Sequence, residues 1–218
     1  LRFTCPRGVI AVDIGYFADG AKGVSRMCGM AGWSRRTRQA VPGYIIAAQC
    51  DAIRHRGPDD SGVLTDGDFG FGMRRLSILD IPGGHQPMGC HEGRYSIVFN
   101  GEIYKHAELR KPLAARGFEF RTSSDTETVL AAFAIHGNDA WAMLEGMFAV
   151  AIWDNHSRRL TLARDPLGIK PLYFTEQMGG IAFASELKAL RVVPGHRFSV
   201  GDRAVHDYFS FGHVRRPR

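Results

Sequence analysis

The sequence predicts an α+β fold built on largely antiparallel sheets. Three observations point there. Short runs with strand character recur along the chain, bounded by Gly, Pro, Asn and Asp. Helix-period segments are few and do not alternate strictly with those runs, which argues against a parallel βαβ sheet. There is no internal repeat and no low-complexity linker, and 218 residues suffice for one large domain or two small ones with a real core.

Residues 1–26 form a Gly-rich, weakly patterned lead that begins with Leu1. It reads as a propeptide, as a start assigned too far upstream, or as a true extension. The second reading is preferred, because Met27-Cys28 already supplies a start. Residues 28–33 read as a short buried strand. Residues 42–53 have helical spacing with Pro42 near the start, and the dense turn signal from Arg54 through Gly62 ends that helix. Strands are expected at 62–64 and 69–78, then a loop at 80–90, which carries Pro82-Gly83-Gly84-His85-Gln86-Pro87. A strand at 94–99 is expected to stop at Asn100-Gly101. A helix follows at 104–116, with Pro112 at a kink, and a short strand at 118–120. Ser124-Asp125-Thr126-Glu127 is a cap signal for a helix at 127–136. Residues 147–153 and 160–164 read as paired strands turning at Asp154-Asn155. Two more strands are expected at 172–174 and 181–184, and a short helix at 185–190. Residues 194–218 look loop-like and basic, without a closing element.

Composition excludes several classes of function. The net charge of +6 is concentrated toward the ends: Arg2, Arg7, Lys22 and Arg26 at the start, Arg215, Arg216 and Arg218 at the finish. Between them charge is nearly balanced, with no basic run interleaved with aromatics, so no nucleic-acid partner is expected. No run of about 18 apolar residues exists, so no membrane span is expected. The four cysteines, Cys5, Cys28, Cys50 and Cys90, form no C-x-x-C pair. They read as reduced thiols in a cytoplasmic protein without a zinc site.

One stretch carries distinctive chemistry, Met27-Cys28-Gly29-Met30-Ala31-Gly32-Trp33. A Cys behind an initiator Met becomes the first residue once that Met is trimmed. It then holds a thiol nucleophile and a free α-amine that can serve as its base. The amine titrates near ~8 and the thiol near ~8.5, both within reach of proton transfer at neutral pH. An extension left in place would block the amine.

Seven stretches, in order, resemble one family: Met27-Cys28-Gly29; Arg54-His55-Arg56-Gly57-Pro58-Asp59; Arg75-Leu76-Ser77-Ile78; Gly84-His85-Gln86-Pro87-Met88; Asn100-Gly101-Glu102-Ile103-Tyr104; Ser124-Asp125-Thr126-Glu127; and Phe183-Ala184-Ser185-Glu186-Leu187-Lys188-Ala189-Leu190. Together they look like the glutaminase domain of glutamine-hydrolysing asparagine synthetase, a class II glutamine amidotransferase. The resemblance implies the N-terminal-nucleophile (Ntn) hydrolase fold, a four-layer αββα sandwich of two mainly antiparallel sheets. It implies that Cys28 attacks the side-chain amide of L-glutamine, forms a thioester and releases ammonia, after which water frees glutamate. Asn100 and Gly101 would supply the oxyanion donors. Arg75 would pair with the α-carboxylate, with Arg74 a neighbouring rival, and Asp125 would accept the α-ammonium or cap its helix. Leu76, Ser77, Ile78 and Leu79, with Glu102, would complete the glutamine pocket.

His55, His85 and Asp80 have no metal or triad spacing and read as structural hydrogen-bonders. The stretch from Asp165 through Tyr173 lacks the glycines of a phosphate loop and resembles a structural strand connection. The resemblance further implies residues 1–27 as an extension, 28–212 as the glutaminase domain and 213–218 as the start of a linker. Beyond it would lie a synthetase domain or subunit that uses ATP and Mg to amidate aspartate; no cofactor is expected in this chain. A homodimer is left open. Three departures stand out: the extension, Lys105 where the family usually has Asn, and Pro112 within a helix. Two rival functions remain: a class II amidotransferase serving an amino sugar, a purine precursor or a secondary metabolite, and a glutamine-binding scaffold whose blocked Cys28 never reacts.

Overall fold

The computed structural model describes residues 27–37, 39–76, 83–90, 93–177 and 180–212. Along the chain run β1 (Gly29–Arg35), α1 (Gly43–Ala52), β2 (Asp60–Asp66), β3 (Phe69–Arg75), β4 (Met88–Gly89), β5 (Tyr95–Ile103), α2 (His106–Ala115) and α3 (Asp125–His136). A 3-10 helix at Gly137–Met143 leads to β6 (Gly146–Asp154), β7 (Arg159–Arg164), β8 (Tyr173–Gln177), β9 (Gly180–Ala184), α4 (Leu187–Leu190) and α5 (Asp202–Phe211). The strands form two sheets, ordered β2-β3-β1-β9-β8 and β4-β5-β6-β7. Every pairing is antiparallel.

Side-chain alternation sorts each strand into two apolar faces. In β1, Met30 joins Phe71, Met73, Val98, Ala149 and Phe183 between the sheets, while Ala31 and Trp33 pack outward on Ile45 and Ile46 of α1. In β5, Val98 faces the first sheet, while Ile97 and Phe99 pack on Val129, Leu130 and Phe133 of α3. Strands covered on both faces read as continuous apolar runs. The result is four layers: α1 and α4, the first sheet, the second sheet, and α3 with the 3-10 helix.

The helix α3 shows why its sequence folds where it does. Ser124 Oγ accepts the Thr126 N–H at 3.2 Å, so Ser124 is the cap. Asp125 and Glu127 in the first turn and His136 in the last suit the helix dipole. The helix therefore begins at Asp125, two residues ahead of the expected 127.

Several expectations are corrected. Asn100-Gly101 does not stop the strand: β5 runs through it, with Asn100 opposite Ala149 and Gly101 opposite Phe148. Nine residues paired with β6 outweigh a two-residue turn preference. The expected strand at 118–120 is absent; instead the Phe118 and Phe120 rings lie 4.9 Å apart and the Arg110 guanidinium covers Phe120 at 3.8 Å. The two-residue β4 interrupts the expected loop at 80–90. Within the expected loop after 194 lies α5, an amphipathic helix closed by Gly212 at φ +73°. The helix expected at 104–116 starts at His106, because Lys105 sits in the left-handed region at φ 53° and ψ 26°. Asn tolerates that conformation; Lys is strained there by roughly 1 kcal/mol. Pro112 lies within α2. Among the described residues, no helix is long and apolar enough to cross a membrane.

Candidate functional site

The site begins where β1 begins. Cys28 lies two residues before Met30, on the face toward the second sheet, and packs partly against the inter-sheet core. Its Sγ receives the Leu76 N–H at 3.4 Å, and the protonated thiol points toward the Leu76 carbonyl at 3.7 Å. Burial pushes the thiol's pKa up, against the pull of the Leu76 N–H and the charges of Arg75, Lys170 and Arg56. Leu76, expected to line the glutamine pocket, thus has its backbone on the thiol.

Strand parity sends Arg74 and Arg75 to opposite faces of β3. Phe71 and Met73 of β3 face the second sheet, and Arg75 continues that face. Arg74 points the other way, to α1, where it pairs with Asp51 and reaches the Cys50 carbonyl at 3.4 Å. Arg75 is 7% exposed. A Cβ on Gly84 would overlap its guanidinium, so a side chain there would force Arg75 to move.

On β5, Asn100 shares the inward face of Val98 and is 2% exposed. Among the described residues, its Nδ2 is buried without a hydrogen-bond partner. A buried donor left unpaired carries a desolvation cost of about 1–3 kcal/mol, so it marks a place where an acceptor is due. A Cβ on Gly101 would overlap the Met147 carbonyl on β6. That is a packing requirement for glycine, separate from any approach to substrate. Glu102 is exposed beside them. Asp125 reaches the same strand end: its Oδ2 accepts the Ile103 N–H at 3.1 Å. Burial raises the Asp125 carboxyl above the usual range, against the Ile103 N–H and the charge of His106. Because Ser124 is the cap, Asp125 is spared that duty.

Gln86 joins the two halves of the site. Its side chain accepts the Phe99 N–H at 2.6 Å and donates to the Phe99 carbonyl and to Thr126 Oγ1, each at 3.2 Å. Gly84, two residues earlier, packs on Arg75, so one short segment braces β3, β5 and the start of α3. Gln86→Ala would strand buried polar groups of Phe99 and Thr126. We expect a loss of about 2–3 kcal/mol, read by thermal unfolding as a Tm lower by roughly 5–10 °C.

Sequence reasoning assigned no role to Arg56, Ser185, Glu186 or Lys170. Arg56 donates from Nε to the Cys28 carbonyl at 3.0 Å and from Nη1 to Glu186 at 3.1 Å. Ser185 brackets Met30: its Oγ takes the Met30 N–H at 3.0 Å and its own N–H meets the Met30 carbonyl at 2.8 Å. Partial burial works against the Glu186 charge, but Lys188, Arg56 and His55 together hold its carboxyl below the usual range. Arg56, Ser185 and Glu186 lie in the quoted motifs, but Arg56 and Glu186 are 130 positions apart, and no local pattern signals their contact.

His55 pairs with Glu186 at 2.8 Å and His85 with Asp60 at 2.9 Å, both as structural hydrogen-bonders. The Asp165 carboxylate collects the N–H groups of Phe148, Ile169 and Lys170 at 3.2, 2.9 and 3.1 Å, which fixes the connection before β8. Among the described residues, no group of three or more His, Cys, Asp or Glu is placed to hold a metal. Ser77, Ile78, Leu79 and Asp80, the lead 1–26 and the tail 213–218 lie outside the described residues.

Comparison with known proteins adds the following. A family model described as a glutamine amidotransferase domain matches residues 27–218. The chain is 42% identical over 194 residues to asparagine synthetase [glutamine-hydrolyzing] 1 of Bacillus subtilis, covering 88% of this chain and 30% of that protein. It is 37% identical over 169 residues to the Saccharomyces cerevisiae protein named asparagine synthetase [glutamine-hydrolyzing] 1, covering 72% and 29%. The chain thus spans about 30% of the length of these curated relatives. Among solved structures, glutamine phosphoribosylpyrophosphate amidotransferase from B. subtilis matches with a TM-score of 0.63 at 19% identity, over 76% of this chain and 43% of that one. At that identity the likeness is one of fold.

Proposed function

The chain belongs to the glutamine amidotransferase domain family and has the four-layer Ntn-hydrolase fold; on that premise we propose that it is the glutaminase half of an asparagine synthetase, with Cys28 as nucleophile. The observation that carries the mechanism is the pair of groups facing the space between the sheets. One is a thiol held by the Leu76 N–H, on the residue that follows Met27. The other is the Asn100 amide, whose Nδ2 has no partner among the described residues.

With the chain starting at Cys28, the thiol proton passes to the α-amine and Sγ attacks the side-chain carbonyl carbon of glutamine. The oxyanion of the tetrahedral intermediate takes hydrogen bonds from Asn100 Nδ2 and the Gly101 N–H. When the C–N bond breaks, the proton on the α-amine goes to the leaving nitrogen and ammonia departs. Water then adds to the thioester and gives a proton to the same amine; the C–S bond breaks, glutamate leaves, and the amine returns that proton to the sulfur. Arg75 holds the α-carboxylate and Asp125 the α-ammonium, and this clamping fixes the amide over the sulfur. Leu76, Glu102 and the segment 77–79 complete the pocket. The domain is assigned to residues 28–212, with the cytoplasm as its compartment. Ammonia would pass to a synthetase domain, which uses ATP and Mg to amidate aspartate.

The test is an assay of protein whose mass shows that it starts at Cys28. We expect L-glutamine to yield glutamate and ammonia in equal amounts. The complete protein should turn aspartate into asparagine when ATP and Mg are added. Glutamine binding without glutamate release would overturn the glutaminase reading. Glutamate release without asparagine would redirect the ammonia to another acceptor.

A further inference from the structure

Three cations influence Cys28: Arg56 from the turn after α1, Arg75 from the end of β3, and Lys170 from the connection before β8. Arg56 is held by Glu186, and Arg75 rests on Gly84. Lys170 differs from both. It is 9% exposed. Its backbone is fixed at both ends, by the Asp165 carboxylate at 3.1 Å and by Arg164 Nε at 2.6 Å. Its ammonium, however, contacts only the thioether of Met27, at 3.6 Å, among the described residues. No carboxylate comes within ion-pair distance of it among those residues.

An ammonium withdrawn from water without a counter-charge destabilises the fold. Such a group calls for a reason in the chemistry beside it. That neighbour is the Cys28 nitrogen. Met27 is bonded to it, so contact with the Met27 side chain puts Lys170 Nζ within one residue's span. When the chain starts at Cys28, the same nitrogen is the α-amine and Met27 no longer stands between them.

We propose that Lys170 is an electrostatic positioning residue, whose charge keeps the α-amine of Cys28 unprotonated at neutral pH so that it can accept the thiol proton. The inference rests on the reading of Cys28 as nucleophile. In the step it serves, the S–H bond breaks, an N–H bond forms on the α-amine, and no other reactant is needed. At pH 7 an α-amine with its ordinary pKa near ~8 would be about nine-tenths protonated and useless as a base. A neighbouring cation disfavours that protonated form and favours the thiolate. Arg56 and Arg75 act in the same direction, and Glu186 tempers Arg56.

The experiment uses enzyme starting at Cys28 and follows kcat/KM for glutamine against pH, for wild type, Lys170→Met, Lys170→Gln and Lys170→Arg. The two neutral variants should move the acidic limb up by about one pH unit, which is roughly tenfold in rate on the limb itself and a smaller loss at pH 7. They should recover at high pH, while Lys170→Arg keeps the limb in place. Superimposed profiles would overturn the proposal. So would an equal loss at every pH shared by Lys170→Arg, which is the mark of a structural role. Should the neutral variants not fold, NMR titration of the wild-type α-amine decides. A pKa below the ordinary value supports the proposal and one at or above it overturns it. Cys28→Ala in the same assay tests the underlying reading separately, because its full activity would remove the nucleophile and not just its base.

Discussion

Cys28→Ala is expected to abolish glutamine hydrolysis, lowering glutamate release by about 10⁴-fold or more, the scale seen when a covalent nucleophile is removed. The fold should survive. The thiol is only partly buried, and among the described residues its hydrogen bonds run to the Leu76 backbone, so the Tm change should stay within what such a weak contact can move. Cys28→Ser should be nearly as inactive, because a serine hydroxyl is far harder to ionise in the same place. The natural control is Cys50. Burial pushes its thiol up to about 12, so it stays protonated at neutral pH. Cys50→Ala should retain activity, and a thiol-directed reagent should label Cys28 first. Activity of Cys28→Ala within tenfold of wild type would sink the mechanism. The pH dependence follows from the same burial. Because the Cys28 thiol is raised, the step needs a base, and activity should fall toward acid as the α-amine takes up its own proton.

The fold was legible in the sequence wherever periodicity and punctuation agreed. Both outer-face and inner-face residues of β1 are apolar, and Pro42 and Ser124 stand immediately before α1 and α3. Legibility failed where a local signal met a stronger tertiary one. Asn100-Gly101 is a turn dipeptide, yet β6 offers it a full pairing register. Phe118 and Phe120 have strand character, yet their rings pack tilted against each other, with Arg110 over Phe120. For α5 the signals were present, with Asp202 in its first turn and Gly212 at its end. The basic residues around it drew the reading toward a loop.

Much the same division holds for the site. Motif order pointed to Cys28, Asn100, Arg75 and Asp125, and strand parity then separates Arg75 from Arg74. The bracing by Arg56, Ser185 and Glu186 was not legible, since it joins the start of β1 to segments far along the chain. Gln86 sat in a quoted motif without a role, because its three hydrogen bonds exist only once β5 and α3 are packed together.

Asn100→Ala separates activity from stability more sharply than any other substitution in the site. Deleting one oxyanion donor typically costs about 10²–10³ in kcat, and we expect that loss with KM changed little, because the bond is made in the transition state and not to bound glutamine. Ordinary buried asparagines lose stability on truncation, since their amide hydrogen bonds vanish. Here Nδ2 has no such bond to lose among the described residues, and removing an unsatisfied buried donor relieves its desolvation cost. The expected Tm is therefore unchanged or slightly higher, although activity collapses. Functional sites often carry a local penalty of this kind. Asn100→Asp should be at least as inactive, because it sets a negative charge where the oxyanion forms. Measuring kcat, KM and Tm on the three proteins distinguishes the two roles of the side chain. A Tm that falls by several degrees together with kcat would make Asn100 a structural residue of β5 and return the oxyanion to other donors.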